Sequence, residues 1–301
     1  MAKSKSDKVL NLNPLQFDDH FFSNWKPPNY SFYNRFHIER IENYREHLNL
    51  PIPPHRRSVH FFMFLKTGKA VRSKGLSNYE INAGQFFFLP AEQITTLEFM
   101  SDDATGFYCH FQPEIFLQNF LRADIDKDFP FFQLTSEPTI EISEQQRICQ
   151  LLEILENENL LSKDNRFDLI SVYLIALFSE INHSILAPKK EFRNATAFLT
   201  QRYKNALSAY IYQKKSVSEF ADYLGVSPNH LHKCVKSTTG KTAHELLNEM
   251  RILEAKVLLK QTDLNIGEIA FKIGQFESSD FGRFFKKNTN LTPNQYRNSE
   301  Y

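Results

Sequence analysis

Two segments in the C-terminal third of the chain share one pattern of apolar and small residues, and this repetition strongly constrains the fold. The first segment runs from Val217 to Ser237, with apolar residues on one helical face and a turn glycine at Gly225. The second, Ile266 to Lys287, repeats the apolar spacing and has a glycine at Gly274. Each segment predicts two helices joined by a tight turn. One such pattern is a weak signal, whereas two in tandem are difficult to reach by chance.

The second helix of the first segment carries clear start and stop signals. Ser227 is its predicted N-cap, Pro228 takes the first helical position, and Gly240 is the predicted left-handed residue after its end. Since Leu231 and Val235 face inward, the polar residues between them point outward. We expect this face to read base edges in the major groove and to hold phosphate; the alternative is a polar face that meets only solvent. The predicted first reader consists of Asn229, His230, His232, Lys233 and Lys236.

The second segment predicts a matching reader. Its helix has Phe281 and Phe285 on the inward face and Ser278 as predicted N-cap, and Pro293 follows in a short closing helix. Asp280 stands out, because a carboxylate accepts from cytosine N4 but repels phosphate. The predicted DNA-contact residues here are Ser279, Asp280, Arg283, Lys286 and, on the closing helix, Arg297.

A long amphipathic helix, His244 to Lys260, separates the two segments. Together with "MRILEAKVLLKQTDLNIGEIA" and "LTPNQYR", they resemble the AraC family of bacterial transcription regulators from about Ala195 to Arg297. The resemblance implies seven helices, with two recognition helices in successive major grooves about 34 Å apart. Two departures are Gln275, which precedes Phe276 where the family places an aromatic directly after the glycine, and Asn290, which replaces a glycine.

Charge and cysteine usage agree with a DNA-binding C-terminal region. Residues 193–301 hold 16 Lys+Arg against 10 Asp+Glu, whereas residues 1–192 hold 20 against 25. Three cysteines without paired spacing argue against a disulfide scaffold or a zinc ribbon and fit a reducing cytoplasm, in which the protein would associate with the nucleoid. We expect no export signal in the polar start Met1 to Leu10 and no bilayer span in the short apolar stretch Leu169 to Ser179.

Short apolar runs separated by turn signals predict an antiparallel β domain before these helices. The segment Ile81 to Gln93, "INAGQFFFLPAEQ", resembles the cupin-like sensor barrel of many AraC relatives. The predicted fold class is therefore α+β: a cupin-like antiparallel barrel with following helices, then an all-α domain of two helix-turn-helix units. The predicted divisions are an N-terminal, partly disordered arm (1–29), a barrel (30–137), a helical dimerisation region (138–185), a linker (186–194) and a DNA-binding domain (195–301).

Cupins also include metalloenzymes, so a metal site must be considered. Catalytic cupins use a His-x-His pair, a Glu and a later His, and no His-x-His occurs in the barrel region. The candidate ligands are His37, His55, His60 and His110, which we interpret as ordinary histidines. We therefore expect no cofactor, no metal and no enzyme activity; a cupin-type metalloenzyme with an appended DNA-binding module is the alternative. A DNA-repair alkyltransferase would need a cysteine-rich metal site that three scattered cysteines cannot form.

Phenylalanine is concentrated in the N-terminal region, with 22 of 29 in residues 1–192. These rings predict an aromatic core or, alternatively, a pocket for a hydrophobic or aromatic effector. In the second interpretation Arg56, Arg57 or Arg72 orients an acidic head group, and Phe62, Phe64 and Phe87 contact the apolar body.

One predicted helix in this region, from Arg166 to Ile185, is apolar on nearly every face. We expect Leu174, Leu177 or Phe178 to be partly exposed in a monomer, which predicts a symmetric homodimer through this helix. The sequence as a whole predicts a sequence-specific DNA-binding transcription regulator that responds to a small molecule or a partner. Double-stranded DNA and RNA polymerase are its expected macromolecular partners.

Overall fold

The computed structural model describes residues 12–22, 25–26, 32–116, 124–133, 136–143, 145–161, 166–185, 195–274 and 277–299. Two compact units are present, an N-terminal unit of residues 13–193 and a C-terminal unit that contains residues 194–301. The predicted linker, 186–194, lies outside the described residues, as does most of the predicted N-terminal arm. Among the described helices, none has the length and apolar character that crossing a membrane requires.

Strands dominate the first part of the N-terminal unit. They are β1 (Phe36–Arg40), β2 (Ile52–Arg56), β3 (His60–Thr67), β4 (Lys69–Lys74), β5 (Ser77–Asn82), β6 (Gln85–Leu89), β7 (Ile94–Met100), β8 (Thr105–Phe111) and β9 (Thr139–Glu141). All described pairings are antiparallel, with a five-stranded sheet in the order β1-β8-β3-β6-β9 and a four-stranded sheet in the order β2-β7-β4-β5. The α+β fold class is confirmed, with two sheets in place of one closed barrel.

Local sequence explains the hairpin between β5 and β6. Gly84 adopts a left-handed φ of 80° at the turn, a conformation that L side chains rarely adopt. After the turn, three consecutive phenylalanines enter β6 and are fully buried. Because side chains of a strand alternate between faces, Phe86 and Phe88 lie on one face of the sheet and Phe87 on the other. Both faces of the five-stranded sheet are therefore covered.

Short helices flank the strands of this unit. They are α1 (Pro14–Phe21), α2 (Ile41–Tyr44) and α3 (Ile125–Asp128). Helix α1 lies within the predicted N-terminal arm, but it packs on the sheets, since Phe17 and Phe21 are buried and both contact the His55 ring. This part of the arm is thus a structural element of the unit.

Two longer helices, α4 (Gln145–Leu161) and α5 (Phe167–Ser184), pack on the outer face of the five-stranded sheet. Phe178 on α5 packs against the rings of Phe88, Phe111 and Phe132. The expectation that Leu174, Leu177 or Phe178 is partly exposed in a monomer is wrong: all three are fully buried. The sheet covers one side of α5 and α4 covers another, so the part of α5 that carries these three residues is buried within the protomer, while Val172 is 40% exposed.

The C-terminal unit is helical throughout its described residues, as the resemblance implied. Its seven helices are α6 (Ala195–Tyr210), α7 (Val217–Leu224), α8 (Pro228–Thr239), α9 (Ala243–Gln261), α10 (Ile266–Gly274), α11 (Ser278–Thr289) and α12 (Pro293–Asn298). Helix α9 contacts α6, α7 and α8 on one side and α10 and α12 on another. Helix α9 is therefore buried on more faces than the single apolar stripe predicted from the sequence. It joins the two helix-turn-helix units into one core.

Candidate DNA interface and ligand pocket

The first helix-turn-helix unit forms from the signals read in the sequence. Ser216 caps α7 by accepting from the backbone N–H of Glu219, and Gly225 ends α7 with a left-handed φ of 73°. Ser227 caps α8 by accepting from His230 N, and Gly240 follows α8 with a φ of 74°. These contacts satisfy backbone groups that a helix end leaves without partners, so they fix where the reader helix starts and stops.

The outward face of α8 is polar and partly basic. Its inward face is fixed by Leu231, Cys234 and Val235, which are buried against α6 and α7. The five predicted contact residues are all exposed: Asn229, His230, His232, Lys233 and Lys236. The His230 Nε2 lies 3.7 Å from the Cys234 sulfur, one turn further along the helix, so this histidine contacts a buried residue of the same helix.

The second unit differs from the first at the start of its reader. The N-cap of α11 is Glu277, whose side chain makes no capping bond, and the predicted cap Ser278 is the first helical residue. Gly274 is the last residue of α10, whereas Gly225 lies beyond the end of α7. The departure at Gln275 and Phe276 falls outside the described residues. Asn290 ends α11 with a left-handed φ of 63°, as expected for a residue that replaces glycine.

Charged side chains on α11 are arranged around one ion pair. Asp280 accepts from the Arg283 guanidinium one turn along the helix, and their side chains are 55% and 79% exposed. Ser279 and Lys286 are also exposed on this helix. The second reader therefore presents Arg283, whose charge is already paired with Asp280, and Lys286 one turn further along the helix.

Arg297 has a structural contact in place of the predicted DNA contact. Its Nε donates to Leu259 O at 3.1 Å, and its Nη2 donates to Leu264 O. These carbonyls lie at the end of α9 and in the connection to α10, so the guanidinium holds α12 against that connection. We leave Arg297 out of the proposed DNA interface.

Sequence reasoning missed a second structural arginine, which links the two helix-turn-helix units. Arg251 on α9 is buried and donates to Lys215 O at 2.6 Å, just before α7. The Lys215 ammonium in turn donates to Lys272 O at 2.9 Å, on α10. These bonds connect the first helices of both units through α9. An "MRILEAK" pattern alone does not reveal them, because the acceptors are backbone carbonyls distant in sequence.

A pocket of about 400 Å³, counting the space at its mouth, lies between the two sheets of the N-terminal unit. The five-stranded sheet contributes His37, Glu39 and Tyr108, and the four-stranded sheet contributes Arg72, Leu97 and other residues. The remaining lining residues are Phe17, Phe22, Trp25, Tyr33, Tyr44, Leu48, Ile52, Arg57 and Met100. Phe17 belongs to α1, so the helix that precedes the strands forms part of the wall.

The predicted effector residues divide between this pocket and the core. Arg72 lines the pocket, and Arg57 lines it in place of the neighbouring Arg56. Phe62 and Phe64 point to the opposite face, where they pack in the cluster that includes α4 and α5, so their assignment to a pocket is corrected. Phe87 packs against Phe61 and Tyr79 and is not part of the pocket wall.

The four candidate metal ligands are dispersed. The His37 and His110 rings lie 5.6 Å apart, but His110 Nε2 is 2.6 Å from Tyr33 O, and His55 Nδ1 is 2.8 Å from Pro53 O. His60 packs between Phe111 and Phe132. Burial lowers the pKa of His110 to about 3 and lowers the pKa values of His37 and His55. The described part of the chain contains no cluster of three ligating side chains suited to a metal ion.

Comparisons with known proteins agree with the C-terminal geometry. Residues 220–299 match the family model of a helix-turn-helix domain. An uncharacterized HTH-type transcriptional regulator of Staphylococcus aureus strain COL is 28% identical over 225 residues, which are 72% of this chain and 28% of that protein. The regulator YijO of Escherichia coli K12 is 37% identical over 100 residues, 33% of this chain and 32% of YijO. The chain thus spans about a quarter of the Staphylococcus relative.

Two solved structures are also similar. The C-terminal domain of AraT, a response regulator from Geobacillus stearothermophilus, is 31% identical and has a TM-score of 0.33, covering 36% of this chain and 93% of that one. ToxT from Vibrio cholerae is 17% identical, with a TM-score of 0.39, covering 87% of this chain and 97% of ToxT.

Residues 220–299, with their two capped reader helices, form a domain of the helix-turn-helix class. The tandem arrangement around a long central helix identifies it as an AraC-type domain, which confirms the family expected from the sequence.

Proposed function

We propose that the protein is a sequence-specific DNA-binding transcription regulator whose N-terminal unit responds to a small molecule. The observation that carries the proposal is the pair of reader helices, α8 and α11, each of which presents exposed polar and basic side chains within one helical unit. Bases are distinguished in the major groove by side chains such as Asn and Lys, whereas contacts to phosphate only position the protein.

Selection of genomic fragments on the purified full chain tests this proposal. We expect enrichment of one sequence motif with two parts, separated by about one helical turn of DNA. Enrichment without a common motif would contradict base-specific reading by the two helices. Chromatin mapping of bound sites then names the regulated genes.

Asn229→Ala separates base reading from general attraction to DNA. The side chain is exposed on α8, so its loss leaves the helix cap and core intact. We expect binding to the selected motif to weaken by about 1–3 kcal/mol, with binding to random DNA unchanged. His232→Ala is a second variant with the same expectation. Asn294→Ala, at an exposed position on α12 and outside both readers, is the matched control. Equal losses on both DNAs would show that Asn229 does not read a base.

The contacts of the N-terminal histidines do not favour a catalytic metal site. His37, His55, His60 and His110 are all buried, and a ring nitrogen of His55 and one of His110 each donate to a backbone carbonyl oxygen, so those nitrogens do not offer a lone pair to a metal. We therefore propose that the chain is not a metalloenzyme. Metal analysis of the purified protein checks this: stoichiometric iron, manganese or zinc that resists dialysis would favour the alternative.

We also propose that the protein acts as a homodimer in the cytoplasm, on the nucleoid, and contacts RNA polymerase there. Among the described apolar residues of the N-terminal unit, Leu160 and Leu161 on α4 are the most exposed, at 57% and 63%, and they replace the buried face of α5 as the proposed contact. Sedimentation of the protein and of a Leu160→Glu, Leu161→Glu variant tests the dimer. A monomer at micromolar concentration, with and without DNA, would contradict it.

A further inference from the structure

The pocket between the two sheets contains two buried cations. Arg57 and Arg72 are 4% and 2% exposed. Arg57 donates to the Tyr108 hydroxyl and, at 3.4 Å, to His55 Nε2, and Arg72 donates through Nε to Thr95 Oγ1 at 3.3 Å. Neither His55 nor Thr95 supplies a negative charge, since a threonine hydroxyl does not ionise and burial lowers the pKa of His55. No carboxylate whose side chain the structure describes is within ion-pair distance of either guanidinium.

Glu39 is the one acidic side chain in the described pocket wall, and it is engaged elsewhere. Its Oε1 accepts from Asn43 Nδ2 at 2.6 Å and from Arg40 N at 3.0 Å. Burial also raises its pKa. Among the described side chains of the pocket wall, the positive charge of the two arginines therefore has no counterpart.

Two aromatic rings hold the arginines in place. The Arg57 guanidinium carbon lies 3.4 Å from the Phe17 ring centroid, and both Arg57 and Arg72 lie over the Phe61 ring, at 5.0 and 4.4 Å. Because the two cations share one ring, they are close enough to repel each other. Burial and then the Arg57 charge lower the pKa of Arg72 to about 9. Burying like charges without an anion is costly, so this arrangement is suited to an anionic ligand that completes it.

His37 supplies a further hydrogen-bond donor to the same pocket. His37 is fully buried and lines the wall, and its Nε2 has no hydrogen-bond partner among the described residues. Its Nδ1 lies 3.5 Å from the Asn159 amide nitrogen, which donates, so Nε2 carries the proton and is itself a donor. The pocket thus supplies donors in excess of acceptors.

The rest of the wall is apolar and largely aromatic, with Leu48, Ile52, Leu97 and Met100 as its aliphatic members. Trp25, Tyr33 and Tyr44 lie around the space together with Phe17. The empty space of about 400 Å³ includes open solvent at the mouth, so the enclosed part is small and suits a compact ligand better than a long chain or a polymer. Aromatic walls favour a planar apolar body, and guanidinium groups bind a carboxylate through paired N–H donors.

We propose that this pocket binds a small aromatic carboxylate, whose carboxylate group is held by Arg57 and Arg72 and whose ring lies among the aromatic side chains. The inference rests on the proposed function, in which the N-terminal unit senses a small molecule, and it adds the chemical class of that molecule.

Trp25 is the single tryptophan of the chain and lies in the pocket wall, so its fluorescence reports binding directly. The full chain is titrated with benzoate, with benzamide as a neutral molecule of the same shape, and with acetate as a carboxylate without a ring. We expect a saturable change with benzoate and at least about tenfold weaker binding of the other two. Equal binding of benzamide would overturn the role of charge, and equal binding of acetate would overturn the role of the ring. No saturable change with benzoate up to roughly 10 mM would overturn the proposal.

Arg72→Gln removes one cation and keeps much of the side-chain volume. We expect benzoate to bind at least about tenfold more weakly and the ligand-free variant to melt at a higher temperature, because an uncompensated buried charge is gone. Arg45→Gln is the control, since Arg45 donates to Ala104 O and is not part of the pocket wall. If Arg72→Gln does not fold, Arg72→Lys keeps the charge without the paired donors and gives the same weakening. Unchanged benzoate affinity in a folded Arg72 variant would overturn the assignment.

DNA binding measured on the same preparations separates this inference from the proposed function. A protein that retains DNA but shows no benzoate binding contradicts the pocket assignment alone. A protein that binds benzoate but shows no DNA binding contradicts the regulator and leaves the pocket assignment standing.

Discussion

Asp280→Asn tests whether a carboxylate limits contact between the second reader and DNA. Asp280 and Arg283 pair on the surface of α11, so the carboxylate engages a cation that could otherwise reach phosphate. An exposed ion pair one turn apart contributes at most about 0.5 kcal/mol to stability. We therefore expect the variant to fold and to melt at nearly the same temperature, which makes its DNA binding interpretable.

The expected effect on DNA binding follows from counterion release. Each phosphate that a protein neutralises steepens the slope of log K against log salt by about 0.9. If the released Arg283 makes one additional phosphate contact, lowering the salt from about 200 to about 50 mM increases affinity about 3.5-fold more in the variant than in the unmodified protein. Removing a negative charge from the interface also raises the affinity for random DNA, so this effect adds to the gain from the Arg283 contact.

Fluorescence anisotropy with a labelled random duplex at several salt concentrations measures both quantities. Arg283→Gln and the double variant complete a cycle: if Asp280 acts through Arg283, the double variant has the slope of Arg283→Gln. Glu249→Gln is the matched control, because it removes a carboxylate that is paired with Lys241 outside α8 and α11. A slope for Asp280→Asn equal to that of the unmodified protein would refute the idea that the carboxylate keeps Arg283 from the phosphates.

Three further predictions concern stability. Phe178→Ala should reduce the free energy of unfolding of the N-terminal unit by about 3–5 kcal/mol in denaturant titrations, because its ring is fully buried among other rings; a loss below 1 kcal/mol would contradict that packing. Ser227→Ala should cost about 0.5–2 kcal/mol in the C-terminal unit through loss of the α8 cap, whereas Ser216→Thr, which can keep the α7 cap, should cost less. Burial lowers the pKa of His110 to about 3, so the unfolded state binds its proton first as the pH falls. The stability this histidine provides is complete above about pH 6.5 and declines below it by up to about 1.4 kcal/mol per pH unit, and His110→Gln should show a shallower decline than the unmodified protein.

The C-terminal unit was predictable because its signals are local. The caps at Ser227 and Gly240, the turn at Gly225 and the inward Leu231 each depend on neighbours a few residues away in sequence. The exposed face of α8 follows from that spacing alone. The error at Ser278 also has a local cause, since Glu277 and Ser278 can both precede a helix and the sequence does not decide between them.

The pocket was less predictable, because a strand buried on both faces loses the alternation that tells inside from outside. Phe61 and Phe62 are equally apolar and equally buried, yet they face opposite sides of the five-stranded sheet. The same ambiguity applies to Arg56 and Arg57, of which only the second lines the pocket. Register with distant strands settles the choice, and it is not encoded in the nearby residues.

Helix α5 shows how an apolar helix can be misread as an interface. Its sequence lacks a polar face wide enough for solvent, and two explanations fit that pattern: burial within the protomer or burial against a second copy. The structure places the five-stranded sheet on one side of α5 and α4 on another, and Leu174 and Leu177 are fully buried between them. Placing glutamates at these positions would therefore bury charges without partners and unfold the unit instead of yielding a folded monomer. A dimer must use surface that remains exposed, and among the described helices of this unit the end of α4 offers Leu160 and Leu161 for that purpose.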